Sequence, residues 1–481
     1  MQPLFLIHNM SLLTLFLGLA MLLPLSVSLI YGESDSLAFL YSFLLCMAVG
    51  AASFFLTGRT KREISHKEGF AIVAFGWFSV ASFGSLPYLL SGAVGSFSDA
   101  FFESASGFTT TGATVLTDIE SLSHAILLWR CFTQWLGGMG IILLSIAILP
   151  LLGVGGMQLY KAEVPGPVTD KLKPRIGETA KILWKVYLFF TFLELILLRA
   201  GGMDFYDALC HSFATMATGG FSTKAMSIEA FNSAYIDGVV TFFMLLAGIN
   251  FALHYQFLRG NVQALFKDEE FRFYLFMIFI STLFVAVNLI AINGESFLHA
   301  FRLGSFQVVS IMTTTGFSSV DFEQWPEFSK YFLLVLMFVG GCAGSTGGSI
   351  KVVRIFLLLK QGYRELYRLI HPRAVVHVKF NNSKVSPEVM DSILGFFFLY
   401  IFLTIIATMV MAFLGLDMVS AISSVAATIG NIGPGLGSVG PTDNFASIPD
   451  TGKWVLSFCM IMGRLELYTL LILFLPEYWK K

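Results

Sequence analysis

Long apolar stretches separated by short polar segments follow one another along the whole chain. A helix rises 1.5 Å per residue, so about 20 consecutive apolar residues are needed to cross a bilayer. Ten stretches meet this requirement: 10–31, 37–57, 69–91, 129–152, 182–201, 239–259, 272–292, 331–360, 388–415 and 454–475. The pattern predicts an all-α polytopic membrane protein with both termini on the same side.

The first two spans predict an N-terminal transmembrane hairpin at 1–57. After it, the chain repeats one pattern of span, short apolar segment, glycine-containing run and second span, in four units at 69–152, 178–260, 271–360 and 388–476. In the first unit the middle segment, from Asp99 to Thr111, would form only roughly 20 Å of helix. We therefore expect four re-entrant pore helices in a pseudo-fourfold arrangement.

The four glycine runs share a register. In three runs an aspartate stands thirteen residues before the last glycine, and in the third run a leucine holds this place. The pairs are Asp99 with Gly112, Asp207 with Gly220, Leu303 with Gly316, and Asp417 with Gly430. Aspartate is a good helix N-cap, so these residues predict where the pore helices begin. The partially negative C-terminal ends would then point toward a cation at the membrane centre.

The glycine runs predict a selectivity filter. Glycine lets backbone carbonyls turn inward, and rings of carbonyl oxygens can replace the hydration shell of a cation. No carboxylate lies inside the runs, which favours K⁺ over a divalent ion. The predicted ion-binding residues are Thr110, Thr111, Gly112, Thr218, Gly219, Gly220, Thr314, Thr315, Gly316, Thr428, Ile429 and Gly430. The alternative is that Thr and Gly merely permit close helix packing.

Polar residues inside the pore helices have two interpretations. Glu103 and His211 stand four residues after their aspartates, and Gln307 holds the matching place in the third helix. They either brace the filter from behind or are ordinary polar groups near the outer mouth.

A glycine-rich run interrupts the second span of the third unit, with five glycines within 340–348. So many glycines unwind a helix, which predicts a movable intramembrane loop at 340–349.

Arg464 stands inside a predicted span, where an arginine costs at least about 2.5–3.5 kcal/mol. We therefore expect Arg464 to hold loop carbonyls in the closed pore. The alternative is a pair with Glu466, but residues two apart point away from each other on a helix. Lys351 either joins this barrier or snorkels to the surface, and Asn250 stands at the place equivalent to Arg464. The predicted gate residues are Gly341, Gly344, Ser345, Thr346, Gly347, Gly348, Lys351 and Arg464.

Lys and Arg concentrate on one side of the predicted spans, in the segments 58–68, 153–185 and 351–384, whereas 71–128 contains neither. The positive-inside rule makes the basic side cytoplasmic and places the filter on the outer face. A net charge of −1 argues against nucleic-acid binding. The five cysteines show no paired spacing, so neither a disulfide framework nor a zinc site is expected.

These features resemble the Trk/Ktr/HKT superfamily of cation transporters, and within it the membrane subunits of Trk potassium uptake systems. Besides the glycine runs and the segment 340–351, the resemblance rests on Gln134-Trp135-Leu136-Gly137-Gly138-Met139-Gly140, Ala247-Gly248-Ile249-Asn250-Phe251 and Met462-Gly463-Arg464-Leu465-Glu466. It implies a homodimer in a bacterial inner membrane, regulated by a cytosolic TrkA-type nucleotide-binding ring that would contact 153–177 and 351–384. Gly112 stands where sodium-favouring plant relatives have Ser, which implies potassium selectivity.

The sequence therefore predicts a non-enzymatic, gated conduit for K⁺ that needs no cofactor within this chain. The alternative is a carrier that couples K⁺ to protons or sodium by alternating access. A carrier would normally show inverted repeats and ionisable groups at the membrane midplane, whereas this chain shows parallel repeats and one central arginine.

Overall fold

The structure is a computed structural model and describes residues 3–58, 66–147 and 172–480. Helices make up most of these residues, and the all-α prediction is confirmed. The last residues of the predicted first unit, 148–152, and most of the predicted partner surface at 153–177 lie outside the described residues.

The N-terminal hairpin consists of the helices Pro3–Ala20, Leu22–Tyr31 and Ser36–Thr57. Its polar turn is fixed to the rest of the protein by Glu33, whose carboxylate accepts hydrogen bonds from the backbone N–H of His124 at 2.7 Å and of Ala125 at 3.2 Å. These amides belong to the first turn of the helix His124–Ala147, where no intrahelical acceptor is available. Glu33 therefore caps this helix from a separate part of the chain.

Each of the four units contains a first span, a pore helix and a second span. In unit 1 these are His66–Gly84 with Leu86–Leu90, Phe97–Phe108, and His124–Ala147. In unit 2 they are Leu172–Ala200, Phe205–Met216, and the pair Ala234–Ala247 and Phe251–Leu258. In unit 3 they are Glu269–Asn293, Phe297–Met312, and the pair Glu327–Leu336 and Val352–Ile370. In unit 4 they are Pro387–Phe413, Met418–Ile429, and the pair Asp450–Arg464 and Tyr468–Leu471.

Shorter elements connect these helices. They are the helices Val262–Lys267 and Pro476–Trp479, the 3-10 turns Ser227–Phe231, Phe322–Gln324, Gly437–Val439 and Ile472–Phe474, and the strands Lys379–Phe380 and Ser383–Lys384. The two strands form an antiparallel hairpin in which Lys379 faces Lys384 and Phe380 faces Ser383.

Length and composition allow six helices of the described chain to cross a membrane, or up to eight if each bent helix pair counts as one span. The bends correct the prediction of continuous spans at 239–259 and 454–475. The unit 2 pair bends by 103° and the unit 4 pair by 111°. At the unit 4 break Glu466 and Leu467 have φ values of 55° and 50°, which a continuous helix cannot contain.

The N-caps of the pore helices differ in part from the prediction. Asp417 does cap its helix, and hydrogen bonds from Ser420 hold the pKa of its carboxyl below the usual value. In units 1 and 2 the caps are Ser96 and Asp204 instead. Asp99 and Asp207 stand three residues after these caps. Ser96 and Asp204 cap the helices in their place, because Ser and Asp are equally good N-cap residues. The third pore helix begins after Ser296, seven residues before Leu303.

Candidate filter and intramembrane loop

Four loops of the same backbone shape follow the pore helices. The residue after each helix C-cap has a positive φ: Thr110 at 53°, Thr218 at 53°, Thr314 at 61° and Asn431 at 55°. Two residues further on, each loop has a glycine of positive φ: Gly112 at 84°, Gly220 at 75°, Gly316 at 82° and Gly433 at 105°. The left-handed region costs other residues roughly 1–2 kcal/mol, so glycine is the residue that suits this position.

This geometry moves the fourth loop by three residues from the predicted register. Thr428 and Ile429 belong to the last turn of pore helix 4, and Gly430 is its C-cap with a φ of −80°. The interval from helix cap to filter glycine is 16 residues in three units: Ser96 to Gly112, Asp204 to Gly220, and Asp417 to Gly433. The predicted spacing of thirteen residues is counted from an aspartate in each of these units. This aspartate is the third helical residue in units 1 and 2, but it is the N-cap in unit 4. The same spacing therefore ends three residues too early in unit 4, at Gly430 instead of Gly433.

The four glycines close a ring. If a Cβ atom were added to each glycine, it would collide with a backbone carbonyl oxygen of the next unit. The colliding carbonyl belongs to the residue just before that unit's own ring glycine. The pairs are Gly112 with Gly219, Gly220 with Thr315, Gly316 with Ile432, and Gly433 with Thr111. Unit 1 thus contacts unit 2, unit 2 contacts unit 3, unit 3 contacts unit 4, and unit 4 contacts unit 1. These contacts leave no room for a side chain larger than glycine in any unit, and they place all four loops around one axis. The same four glycines line a single cavity on the predicted outer side.

A buried ion pair supports the ring loops of units 1 and 2. Glu103 accepts hydrogen bonds from the backbone N–H of Val115 at 3.0 Å and from Arg130 Nε at 2.8 Å, and both charged side chains are at most 1% exposed. Arg130 also donates to the carbonyl of Ser222 at 3.1 Å and lies 4.2 Å from the ring centroid of Phe221. The pair therefore joins the loop of unit 1 to that of unit 2. Sequence reasoning singled out Glu103 but missed Arg130, although an arginine at the start of a predicted span was a usable signal.

Two further polar side chains hold the loop of unit 2. The Gln134 amide donates to the carbonyl of Gly219 at 2.6 Å and accepts from the N–H of Phe221 at 3.1 Å, so it brackets Gly220. His211 contacts the Ser222 hydroxyl at 2.9 Å. Gln307, its counterpart in unit 3, has no hydrogen bond from either side-chain polar atom within the described part of the chain.

Asn431 connects the fourth loop to the first. Its side-chain amide donates to Thr111 Oγ1 at 3.0 Å and to the carbonyl of Met460 at 2.9 Å. A polar amide therefore replaces, in unit 4, the threonine that the other three units place at this position.

The loop at 340–349, which the sequence predicts to lie within the membrane, contacts the ring on the side away from the cavity. Its Gly348 donates a backbone hydrogen bond to Thr314 Oγ1 at 2.7 Å, and a Cβ on Gly347 would lie 3.1 Å from the carbonyl of Thr313 at the end of pore helix 3. The loop therefore touches the C-terminal end of pore helix 3, whereas the cavity adjoins the residues that follow the four ring glycines.

The break in the second span of unit 2 supplies hydrogen-bond partners for this loop. The N–H of Cys342 donates to the carbonyl of Gly248 at 2.8 Å, and the N–H of Phe251 donates to the carbonyl of Gly344 at 3.1 Å. A Cβ on Gly344 would lie 2.9 Å from the side chain of Asn250. Non-helical backbone at membrane depth needs such partners, and the broken helix provides them.

Arg464 reaches the loop from unit 4. Its guanidinium is 2% exposed and donates to the carbonyl of Thr346 at 2.7 Å, with a longer contact of 3.4 Å to the carbonyl of Gly137 in unit 1. Arg464 therefore contacts a loop carbonyl, and its role in closing the pore stays a prediction.

Glu466 does not pair with Arg464 but with the residues that follow the loop. Its carboxylate bonds Arg354 and lies 3.3 Å from Lys351 Nζ, and all three side chains are buried. Lys351 therefore does not snorkel to the surface. This network could not be predicted from the amino-acid sequence, because it depends on the bend after Arg464.

The comparisons agree with this architecture. Residues 35–481 match the family model of TrkH cation transport proteins. The chain is 45% identical over 476 residues, 98% of each chain, to the Trk system potassium uptake protein TrkH of Escherichia coli (strain K12), and 36% identical over 481 residues to TrkG of the same organism, again covering 98% of each chain. The crystal structure of the potassium transporter TrkH from Vibrio parahaemolyticus is similar with a TM-score of 0.92 and 42% identity, and the match covers 100% of both chains.

Proposed function

The chain belongs to the TrkH family of cation transport proteins, and we propose that it takes up potassium across a bacterial inner membrane through the ring formed by Gly112, Gly220, Gly316 and Gly433. The observation that carries this proposal is the closed ring of glycine and carbonyl contacts. A ring of carbonyl oxygens is suited to a dehydrated monovalent cation. No catalytic chemistry is part of the proposal.

The chemistry around the ring supports a monovalent rather than a divalent ion. Glu103, the acidic side chain that touches a filter loop in unit 1, is already paired with Arg130. Within the described ranges no group of three or more His, Cys, Asp or Glu residues could hold a metal ion. The ion would thus be bound by neutral backbone oxygens.

We further propose that the loop at 340–349 closes the pathway inside the ring. Its hydrogen bonds to units 2 and 3 and to Arg464 hold it against the pore helices. Opening would break the bond between Arg464 and Thr346, so a partner that opens the pore must bind the open state more tightly.

The orientation and assembly belong to the same proposal. Both termini and the basic segment 351–384 would face the cytoplasm, in agreement with the distribution of Lys and Arg. The protein would form a homodimer and bind a cytosolic TrkA-type nucleotide-binding ring on this face.

One observation keeps a proton- or sodium-coupled symporter as the second candidate. Glu194, in the first span of unit 2, is fully buried, and its carboxylate forms no ion pair with a cationic side chain among the described residues. An unpaired carboxylate inside a membrane protein is typical of proton relays. Resolved single-channel currents far above carrier turnover would exclude the symporter, whereas pH-dependent flux without unitary currents would favour it.

The filter itself is tested by Gly112→Ser. A serine Cβ would collide with the carbonyl oxygen of Gly219, and the left-handed backbone would add roughly 1–2 kcal/mol of strain, equivalent to about a tenfold change. We expect the K⁺/Na⁺ permeability ratio in liposomes to fall by about this factor. Gly95→Ser is the matched control, because Gly95 has no heavy atom within 4 Å of its Cβ position. An unchanged ratio for Gly112→Ser in folded protein would contradict the filter assignment.

A further inference from the structure

Glu270 is a buried acidic residue that contacts the loop at Ala343, three residues before the Thr346 carbonyl to which Arg464 donates. It lies in the first turn of the helix Glu269–Asn293 and is 2% exposed. Its Oε1 atom accepts hydrogen bonds from the N–H of Ala343 at 2.7 Å and from the N–H of Val353 at 3.2 Å. One carboxylate oxygen therefore ties the start of the loop to the start of the helix that follows it.

Both amides need an acceptor from outside their own segment. Ala343 lies in non-helical backbone, and Val353 lies in the first turn of Val352–Ile370, where intrahelical acceptors are missing. A carboxylate at a helix N-terminus also interacts favourably with the helix dipole. Removing Glu270 would leave both amides unsatisfied in a buried place, so the loop would lose a specific anchor.

The residues just before Glu270 are held by the β-hairpin at 379–384. Asn381 donates from Nδ2 to Asp268 Oδ2 at 2.8 Å, and its Oδ1 accepts from the N–H of Glu269 at 2.9 Å. Lys360 adds a second link, since its Nζ contacts Glu269 Oε2 at 2.6 Å and the carbonyl of Lys379 at 2.8 Å. The hairpin is thus hydrogen-bonded to the residues directly beside the anchor of the loop.

The outer surface of the hairpin indicates what could bind it. Lys379 and Lys384 stand directly opposite each other on the two strands, and both are exposed. Like charges opposite each other destabilise a strand pair, and carboxylates of a partner would relieve this repulsion. An acidic surface on a protein is therefore the chemistry that fits this hairpin.

We propose that Glu270 positions the loop in its closed conformation, and that an acidic surface of a cytosolic protein partner acts on the loop by moving the hairpin, through Asn381. This inference rests on the proposed function, because it assigns the regulation of the same pathway. It identifies a second anchor of the loop, on the proposed cytoplasmic side, that is independent of Arg464.

The first test compares Glu270→Ala and Glu270→Gln with wild type. Glu388→Ala is the matched control, because Glu388 stands in the first turn of the corresponding helix of unit 4 and is exposed. One readout is K⁺ flux into liposomes by the full chain without a partner. The other is the rate at which a maleimide labels Cys342, which is 1% exposed and adjacent to Ala343, measured by peptide-resolved mass spectrometry.

Glu270→Ala should raise both the flux and the labelling of Cys342 by at least about tenfold, because it leaves two buried backbone amides without an acceptor. Glu270→Gln keeps an acceptor and should give a smaller rise, and Glu388→Ala should match wild type. If Glu270→Ala does not yield monodisperse protein, the labelling of Glu270→Gln decides. Wild-type values for the Glu270 variants in both readouts would overturn the proposal.

The hairpin is tested by Asn381→Gly against Asn382→Gly. Both asparagines have positive φ, 45° and 60°, so glycine preserves the turn at either position and only Asn381→Gly removes the contacts to Asp268 and Glu269. Asn381→Gly should raise the labelling of Cys342, and its effect should not add to that of Glu270→Ala, because both act on one linkage. Equal behaviour of the two glycine variants, or full additivity, would refute the role of the hairpin.

The partner is tested by the charge reversal Lys379→Glu with Lys384→Glu. This variant should lose the increase in flux that the cytosolic partner produces in wild type, while its flux without the partner stays at the wild-type level. A partner response equal to wild type would refute the acidic surface. If wild type and Arg464→Ala carried no K⁺ at all, the proposed function would fail, and the labelling of Cys342 would still test Glu270 separately.

Discussion

Arg464→Ala is the change that most directly tests whether the loop closes the pathway. The side chain donates to the carbonyl of Thr346 at 2.7 Å and is 2% exposed, so the bond is charge-assisted and shielded from water. Hydrogen bonds of charged groups contribute roughly 1.5–3 kcal/mol, and each 1.4 kcal/mol changes an equilibrium tenfold. Removing this bond should therefore shift the loop toward its open state by about 10- to 150-fold.

The assay is K⁺ flux into liposomes that contain the purified chain without a partner. Arg368→Ala is the control, since Arg368 is 51% exposed, lies 3.5 Å from Glu365, which is 49% exposed, and stands near the far end of the helix Val352–Ile370. Exposed ion pairs contribute roughly 0–1 kcal/mol, so this variant should behave as wild type. Unchanged or lower flux for Arg464→Ala in monodisperse protein would refute the closing role of the contact.

Arg464→Lys separates the hydrogen bond from the positive charge. A lysine keeps the charge that repels K⁺ but not the planar fork of donors that reaches Thr346. If the hydrogen bond holds the loop, Arg464→Lys should lie between wild type and Arg464→Ala. If it equals wild type, charge repulsion would explain the effect, and the reasoning from the loop contact would be wrong.

Two further predictions concern the filter. Gly433→Ala should also lower the K⁺/Na⁺ permeability ratio, because its Cβ would lie 2.7 Å from the carbonyl oxygen of Thr111. Gly95→Ala is the control, and a selectivity equal to wild type would refute the corrected register. Arg130→Ala leaves Glu103 buried and unpaired, which should destabilise the protein by roughly 3–5 kcal/mol and lower its melting temperature in detergent. A melting temperature equal to that of Arg368→Ala, which removes one side of an exposed ion pair, would contradict this assignment.

The repeated pattern allowed much of the fold to be predicted from the sequence, for a physical reason. A segment between Asp99 and Thr111 is too short to span a bilayer, so a re-entrant helix is the one arrangement that keeps its backbone hydrogen-bonded. Residue spacing alone could not locate the helix caps. Ser96 and Asp204 compete with Asp99 and Asp207 for the same role, and this competition caused the three-residue offset at Gly433.

The contacts around the loop could not be predicted, because they join distant segments through bends. The partners of Glu466 are 112 and 115 residues away, at Arg354 and Lys351, and become accessible only because the helix turns by 111°. The apolar pattern of 454–475 is compatible with a straight span. Gly463 allows the close approach to Ile429, but a glycine in an apolar helix is more often a packing residue than a hinge.

Three threonines in the ring loops have backbone angles that their own residue type disfavours, and the surrounding packing keeps them there. Thr110, Thr218 and Thr314 hold left-handed angles of 53°, 53° and 61°, which β-branched residues avoid. Such strain costs of order 1–3 kcal/mol per residue and persists where the surroundings fix the conformation. Asn431 takes the same angle with less strain, since asparagine tolerates this region better. The unit 4 loop is the one of the four whose residue tolerates this angle, and this residue also bonds Thr111, so the four quarters share a backbone shape but differ in strain. Any loss of K⁺ selectivity under mutation should therefore depend on which quarter is changed.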